Sequence, residues 1–350
     1  MNRDDIGELF FVGFEGTSLS DTLQRFLLDL KPAGVILFAR NIEGPAQVAA
    51  LNRDLQLLAM DNWTSGLLIG VDQEGGRVRR LRAPFVSCPS ARILSRDPRA
   101  DEIVRSYMTI TAHELKLVGF NTNFVPVLDV LSGHSDTATS VIGDRSFGDN
   151  PVAAARLGQI VIQSLRSTGV IPCGKHYPGH GGTQVDSHVE LPVDERDEKS
   201  LREKDFVPFE MAIEHGVDML MTAHVVYPAL DSSLPATLSP KIVNDILRSD
   251  LGYDGVVITD DLDMGAIANH YNPAQCAELA LNAGADLLLF SKSKDEVLAA
   301  RDAIVERMEE GRISLERIAH ALQRTQALKE RYAPHLRPAD PDATRRHFDV

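Results

Sequence analysis

Between Lys175 and Pro192 the chain reads KHYPGHGGTQVDSHVELP, a segment with three of the eleven histidines, one aspartate and three glycines. Its glycines and prolines are typical of a loop. Asp186 and His188 stand two residues apart, so their side chains can face the same way if the segment is extended. A carboxylate beside an imidazole orients the ring and raises its pKa, which makes His188 a candidate proton carrier near neutral pH. We interpret the loop as a candidate active-site lid; a turn with solvated histidines is the alternative.

The elements that would position this loop are short apolar runs bounded by Gly, Pro or polar residues, with amphipathic stretches between most of them. Apolar strands that alternate with helices predict a parallel sheet covered on both faces, and eight such runs predict a closed (β/α)₈ barrel. A doubly wound open sheet is the structural alternative. The eight predicted strands are Leu9–Phe14, Gly34–Phe38, Leu67–Val71, Asn123–Leu128, Val170–Gly174, Met219–Thr222, Val256–Thr259 and Asp286–Phe290.

Polar residues stand at the carboxyl ends of most of these strands, where barrel enzymes carry their catalytic groups. Solvent exposure alone can explain a single polar residue at a strand end. Polar residues at the same end of consecutive strands form a pattern that predicts a site. In chain order the residues are Arg40, Asn41, Asp72, Asp129, Lys175, His176, His224, Asp260 and Asp261.

Length and composition indicate one large soluble domain, which we place at residues 1–333, with a loosely attached tail at 334–350. The chain has 350 residues, of which 43% are hydrophobic and 25% charged, and a formal net charge of −14. That charge argues against nucleic acid or an anionic membrane as a partner, because both would be repelled.

Three widely separated cysteines, Cys88, Cys173 and Cys276, indicate neither a disulfide framework nor a thiolate metal site. The N-terminal apolar run is too short for a signal peptide, and no stretch reaches the roughly 18 apolar residues of a membrane span. We therefore expect a cytoplasmic monomer that acts on a small neutral substrate.

Asp260 follows the seventh strand in GVVITDDLDMGAI and is a candidate nucleophile, metal ligand or helix cap. The cap interpretation suits Asp261 or Asp263 better, because either can accept the free N–H groups of a following short helix. Asp260 and His188 would then form the two-group arrangement of a retaining glycoside hydrolase. Asp260 attacks the anomeric carbon while His188, held by Asp186, protonates the departing oxygen; neutral His188 then activates water.

Other polar residues have the chemistry to hold sugar hydroxyls. Asp72 can accept two hydroxyl protons, and Lys175, Arg145 and His176 can donate hydrogen bonds. A turn at Gly75-Gly76 in VDQEGGRVRRL could return the chain to the barrel mouth and bring Arg80 with it. The alternatives are a surface charge for Arg80 and a structural salt bridge for Arg145.

Six motifs in this order closely resemble family three of the glycoside hydrolases, over residues 7–330: VDQEGGRVRRL, NFVPVLDV, GDRSFG, KHYPGHGGTQVDSHVELP, MTAHVVYPALD and GVVITDDLDMGAI. The DSH element is similar to that of the β-N-acetylglucosaminidase branch. The resemblance implies a (β/α)₈ barrel with a mobile catalytic loop and no cofactor or metal. It implies Asp260 as nucleophile, His188 as acid/base and Asp186 as its partner, with sugar contacts from Asp72, Arg80, Arg145, Lys175 and His176.

The resemblance further suggests a muropeptide from cell-wall recycling as the substrate. Several alternatives remain open: a phosphorylase that passes the glycosyl group to phosphate, a β-glycosidase of another specificity, and a catalytically silent sugar-binding protein. A metal-dependent barrel hydrolase is a more remote alternative, with ligands drawn from His176, His180, His188, His224, Asp186 and Asp260.

Overall fold

A computed structural model of the protein describes residues 3–63, 65–132, 141–183, 187 and 190–349. Within these residues eight parallel strands form one sheet in the spatial order β8-β1-β2-β3-β4-β5-β6-β7. A parallel bridge between Ile258 and Leu287 joins the two ends, so the predicted (β/α)₈ barrel is confirmed. The strands are β1 Phe10–Val12, β2 Gly34–Leu37, β3 Leu68–Val71, β4 Thr122–Asn123, β5 Ile171–Tyr177, β6 Met219–Thr222, β7 Val256–Ile258 and β8 Leu288–Phe290.

Most strands differ from their predicted bounds by one or two residues at an end, and two differ by more. β4 ends at Asn123 instead of Leu128, because Pro126 has no N–H to donate to a neighbouring strand. The chain nevertheless stays beside β5, since the Leu128 N–H donates to the Lys175 carbonyl at 2.7 Å. β5 is longer than predicted and includes Lys175 and His176, which therefore lie in the strand itself.

Helices occupy the amphipathic stretches between the strands, as predicted, and several have strong end signals. At one of them Asn272 accepts from the Gln275 N–H at 2.9 Å, and Gln275 accepts in return from the Asn272 N–H at 3.1 Å. Gly284 ends this helix in the left-handed conformation, at φ 116°. The longer helices are Asp21–Leu30, Pro45–Asn62, Ala100–Leu117, Pro151–Thr168, Phe206–Glu214, the π-helical Lys241–Asp250, Pro273–Ala283, Lys294–Glu309 and Leu315–Tyr332. No helix in the described part of the chain is long and apolar enough to cross a membrane.

Apolar side chains fill the barrel interior below the carboxyl ends of the strands. Phe11 and Phe124 meet edge to face with ring centroids 5.5 Å apart, and Ile36, Met221 and Leu289 belong to the same buried cluster. This closely packed interior supports the polar residues at the carboxyl ends of the strands.

The C-terminal tail is not loosely attached, contrary to the sequence expectation. Its helix, Pro341–Phe348, packs against the barrel domain with the Phe348 ring centroid 4.5 Å from that of Phe85. Thr344 is fully buried and donates to the Leu117 carbonyl at 3.1 Å. The polar composition of the tail concealed these tertiary contacts.

Candidate active site

A cavity of about 260 Å³ opens at the carboxyl ends of the strands. Its walls carry Asp72 after β3, Lys175 and His176 from β5, and Asp260 after β7, with Arg145 from a neighbouring loop. Five of the residues singled out from the sequence therefore meet around one space. Its volume is close to the lower end of the range for small-molecule sites.

Asp260 stands two residues beyond the end of β7, and its Oδ1 accepts the Asp261 N–H at 2.8 Å. Burial alone would raise the pKa of this carboxyl, but the neighbouring His176 and His224 rings, the Asp261 N–H and Lys175 together hold it below its usual value. Asp260 is thus an ionised carboxylate at neutral pH, as a nucleophile must be.

Hydrogen bonds hold the His224 ring at both nitrogens. Its Nε2 lies 3.0 Å from the Asp261 carbonyl and its Nδ1 lies 2.8 Å from Thr237 Oγ1. The Thr237 hydroxyl also lies 2.9 Å from the Ala223 carbonyl. Because the Asp261 carbonyl can only accept, Nε2 carries a proton, and the ring is fixed against the residue that follows Asp260.

Asp261 and Asp263 do not cap the following short helix, so that sequence expectation is wrong. Asp261 accepts from the Ser291 N–H at 3.2 Å and from the Ser291 hydroxyl, and Asp263 accepts from the N–H groups of Ser291 and Lys292, each at 2.8 Å. The two carboxyls thus join the β7 loop to the end of β8. Burial raises the pKa of Asp261 to about 6.

Asp72 and Lys175 belong to a chain of alternating charges in the cavity wall. Lys175 Nζ lies 2.7 Å from Asp72 Oδ1 and 2.7 Å from Glu74 Oε1. Glu74 in turn receives Arg145 through two parallel hydrogen bonds, from Nε at 2.8 Å and from Nη2 at 2.9 Å. Arg145 therefore forms a salt bridge, which was one of its two predicted roles, and also lines the cavity.

Glu74 was missed in the sequence, although it stands two residues after Asp72. Burial would raise the pKa of its carboxyl, but Arg145 and Lys175 outweigh burial and lower it far below the usual value. The signal that could have identified Glu74 is alternation: Asp72 and Glu74 point to the same side of an extended segment, whereas Gln73 points away.

The turn at Gly75-Gly76 returns the chain as the sequence predicts. Gly75 and Gly76 have φ values of 101° and 54°, in the region that favours glycine, and Gln73–Gly75 pairs with Val78–Arg79 as a hairpin. The turn brings Arg80 Nη2 to 3.6 Å from Asp72 Oδ2 and its guanidinium to 5.7 Å from the Phe38 ring centre. Arg80 thus stands beside the cavity wall.

His176 is held by Asp129, a buried strand-end residue for which no specific role was predicted. Asp129 Oδ2 lies 2.7 Å from His176 Nδ1, and Asp129 Oδ1 accepts the His176 N–H at 3.1 Å. Burial would raise the pKa of Asp129, but the neighbouring His176 lowers it below the usual value. Asp129 is thus an anion that fixes a proton on His176 Nδ1, which leaves Nε2 facing Arg145 at 3.5 Å.

Asp186 and His188, the predicted proton carrier pair, lie outside the described residues. Ser187, which stands between them in the chain, is described and lines the cavity together with Asp260. Among the described residues, no group of three histidine, cysteine, aspartate or glutamate side chains is arranged to hold a metal ion.

Sequence comparison gives the same family over almost the whole chain. Residues 1–328 match the family model described as the glycosyl hydrolase family 3 N terminal domain. A β-hexosaminidase from Thiobacillus denitrificans is 42% identical over 295 residues, which cover 82% of this chain and 80% of that protein. A β-hexosaminidase from Pseudomonas aeruginosa is 40% identical over 272 residues, which cover 78% of this chain and 79% of the relative.

Solved structures agree with this relationship. A glycoside hydrolase family 3 β-N-acetylglucosaminidase from Paenibacillus sp. superposes with a TM-score of 0.90 at 40% identity; the match covers 95% of this chain but only 63% of that longer one. A β-N-acetylhexosaminidase from Beutenbergia cavernae superposes with a TM-score of 0.87 at 28% identity, covering 94% of this chain and 99% of that one. With its barrel, its strand-end carboxylates and these matches, the chain belongs to glycosyl hydrolase family 3.

Proposed function

We propose that this glycoside hydrolase is a retaining β-N-acetylglucosaminidase that releases terminal β-linked N-acetylglucosamine through a covalent glycosyl-aspartate. The observation that carries the proposal is the ionised Asp260 at the rim of a cavity whose walls present Asp72, Arg145, Lys175 and His176. Carboxylates and forked or charged donors suit a ring of hydroxyls, and a low-pKa carboxylate suits attack at an anomeric carbon. The β-hexosaminidase names of the relatives favour N-acetylhexosamine as the sugar.

In the proposed first step, Asp260 forms a bond to the anomeric carbon while the bond to the leaving oxygen breaks. His188, oriented by Asp186, gives its proton to that oxygen. In the second step neutral His188 takes a proton from water, the water oxygen bonds to the anomeric carbon, and the bond to Asp260 breaks. The configuration is inverted twice and so retained.

Lys175, His176, Arg145 and Arg80 are the proposed donors to the sugar, with Asp72 as the acceptor. The cavity has room for one sugar residue, which fits an enzyme that removes a terminal unit. We further propose that the enzyme is a cytoplasmic monomer with its catalytic domain at residues 1–333, and that its substrate is a peptidoglycan-derived muropeptide.

The first test is turnover of 4-nitrophenyl β-N-acetylglucosaminide by the wild type and by Asp260→Asn. The variant keeps the shape of the side chain but has no nucleophilic carboxylate, so turnover should be lost while the wild type accumulates a covalent adduct of one sugar mass with a slow fluorinated substrate. Retained turnover in Asp260→Asn would refute the proposed nucleophile.

A substrate panel tests the specificity. The panel contains an N-acetylglucosaminide, a glucoside and a xyloside with the same leaving group. The enzyme should cleave the N-acetylglucosaminide much faster than the other two; loss of this preference would assign another β-glycosidase specificity. Product analysis in phosphate and in phosphate-free buffer tests the transfer step, because exclusive formation of sugar 1-phosphate would make the enzyme a phosphorylase.

A further inference from the structure

His180 has no role in the proposed reaction, yet it is buried in the cavity wall and fully hydrogen-bonded. Its side chain is 2% exposed, and its ring lies between the hydroxyls of Thr183 and Ser187, with Nδ1 2.6 Å from Thr183 Oγ1 and Nε2 3.1 Å from Ser187 Oγ. Because both ring nitrogens are hydrogen-bonded, the ring connects two parts of the same loop in a fixed geometry.

The directions of these hydrogen bonds follow from Thr183. Its hydroxyl donates to the His180 carbonyl at 3.0 Å, so it can only accept from the ring, and Nδ1 must carry a proton. Burial, with the neighbouring His176 adding to it, lowers the pKa of His180 to about 4. The ring is therefore neutral at pH 7, and its Nε2 accepts the Ser187 hydroxyl proton.

The backbone beneath His180 is anchored independently. The His180 N–H donates to Asp129 Oδ1 at 2.7 Å, so the carboxylate that holds His176 also holds the start of the loop. The backbone at Gly181 packs closely against Val130. A Cβ added at Gly181 would lie 2.1 Å from the Val130 carbonyl oxygen, so only glycine fits at this position. The backbone of His180 is thus held in place, so its ring can hold Ser187 in a defined position.

Ser187 is the described residue that connects His180 to the nucleophile. Its carbonyl accepts the Ala266 N–H at 3.1 Å, and Ala266 lies in the short helix Gly265–Ala268 that follows the Asp260 loop. Ser187 is 2% exposed and is bonded in the chain to Asp186 on one side and His188 on the other. Because consecutive Cα atoms are about 3.8 Å apart, a substitution that releases Ser187 acts next to both residues of the proposed proton carrier pair.

We propose that His180 is a positioning residue which, by holding Ser187, supports the transfer of the His188 proton to the leaving group. The inference rests on the proposed function, because it gives His180 a role only if His188 carries the proton. Neither His180 nor Ser187 exchanges a proton with the substrate.

The discriminating measurement is the dependence of kcat/KM on the leaving group, because kcat/KM reports the steps up to cleavage of the glycosidic bond. A 2,4-dinitrophenyl glycoside leaves without a proton, whereas the disaccharide chitobiose needs one. A displaced acid therefore slows only the second substrate. In His180→Asn, whose amide reaches Thr183 but not Ser187, we expect kcat/KM for chitobiose to fall about 100-fold, the size of effect that a displacement near 1 Å can have. The value for the dinitrophenyl substrate should stay near that of the wild type.

His180→Gln is the matched control, because its side-chain oxygen can take the place of Nε2 as acceptor for Ser187. It should recover most of the chitobiose activity. Ser187→Ala removes the same hydrogen bond from the other side with little change in volume, and its effect should not add to that of His180→Asn. Thermal unfolding of each variant checks that the fold is retained.

Equal losses on both substrates, or no loss on either, in His180→Asn and Ser187→Ala would overturn the inference. His188→Ala, measured in parallel, separates this result from failure of the proposed function. If His188→Ala shows the selective loss on chitobiose and the other variants do not, the inference alone fails. If His188→Ala does not show it, the proposed acid/base is wrong and the inference falls with it.

Discussion

Glu74 receives Arg145 through two parallel hydrogen bonds and contacts Lys175 with the same carboxylate. One buried acid thus fixes two of the cations proposed to bind the sugar. The arrangement pre-forms the donor set, so the sugar does not have to order two long side chains when it binds.

We expect Glu74→Gln to weaken sugar binding and to lower stability. The amide cannot compensate two buried cations, and removal of one partner from a buried ion pair costs about 3–5 kcal/mol. KM should rise about tenfold, which corresponds to about 1.4 kcal/mol. Steady-state kinetics and urea unfolding measure the two effects.

Glu8→Gln is the matched control for Glu74→Gln. Glu8 Oε2 lies 2.6 Å from Lys329 Nζ, a buried cation, and neither residue lines the cavity. This variant should lose stability and keep the wild-type KM. A Glu74→Gln enzyme with unchanged KM would contradict the role given to Glu74.

Asp129→Asn should impair catalysis through His176. The amide N–H₂ group cannot accept the His176 Nδ1 proton, so the ring is driven toward the other tautomer and presents the wrong nitrogen to the cavity. A wrong tautomer in another catalytic histidine is very costly, and here we expect kcat/KM to fall about 100-fold. Nitrogen NMR shifts of His176 should report the tautomer change; an unchanged tautomer with full activity would refute the assignment.

His224→Gln should move the acidic limb of the pH profile. His224 lowers the pKa of Asp260, so its replacement by an uncharged amide should raise that pKa toward the usual value. In the wild type Asp260 stays ionised below the usual aspartate pKa, and in the variant kcat/KM should begin to fall at a higher pH. A pH profile of kcat/KM with the dinitrophenyl substrate measures this, and an unmoved acidic limb would argue against this effect of His224.

Asp261 should make folding stability depend on pH in the opposite sense to a salt-bridged carboxylate. Its pKa of about 6 in the folded protein exceeds that of an exposed aspartate, so between about pH 4 and pH 6 the folded state binds more protons than the unfolded state. Stability from this group is therefore greatest at low pH and is lost as pH rises through 6. Urea unfolding between pH 4.5 and 7.5 measures the free energy of unfolding of the wild type and of Asp261→Asn. The difference between the two free energies should change with pH while Asp261 titrates and should become constant once Asp261 is ionised.

The sequence predicted the barrel well because its strands are continuous apolar runs and its helices have strong local end signals, such as Asn272 and Gly284. Most of the strand-end residues that it named line the cavity, since strand direction decides at which end of the barrel they lie, but Asn41, Asp129 and His224 do not. It was wrong where contacts between distant segments decide the outcome. Asp261 and Asp263 bind the backbone after β8 instead of their own helix, and Phe348 packs on Phe85 from a tail of polar composition.

The chain of charges in the cavity wall has two acids, Asp72 and Glu74, and two bases, Lys175 and Arg145, so these four side chains sum to zero. A neutral sugar that enters meets strong local dipoles from these four side chains, which together carry no net charge. Added salt screens net charge over distances of about 8–10 Å and has little effect on contacts this short. The affinity for the sugar itself should therefore be nearly indifferent to ionic strength, and any salt dependence of turnover would arise from the part of the substrate that lies outside the cavity.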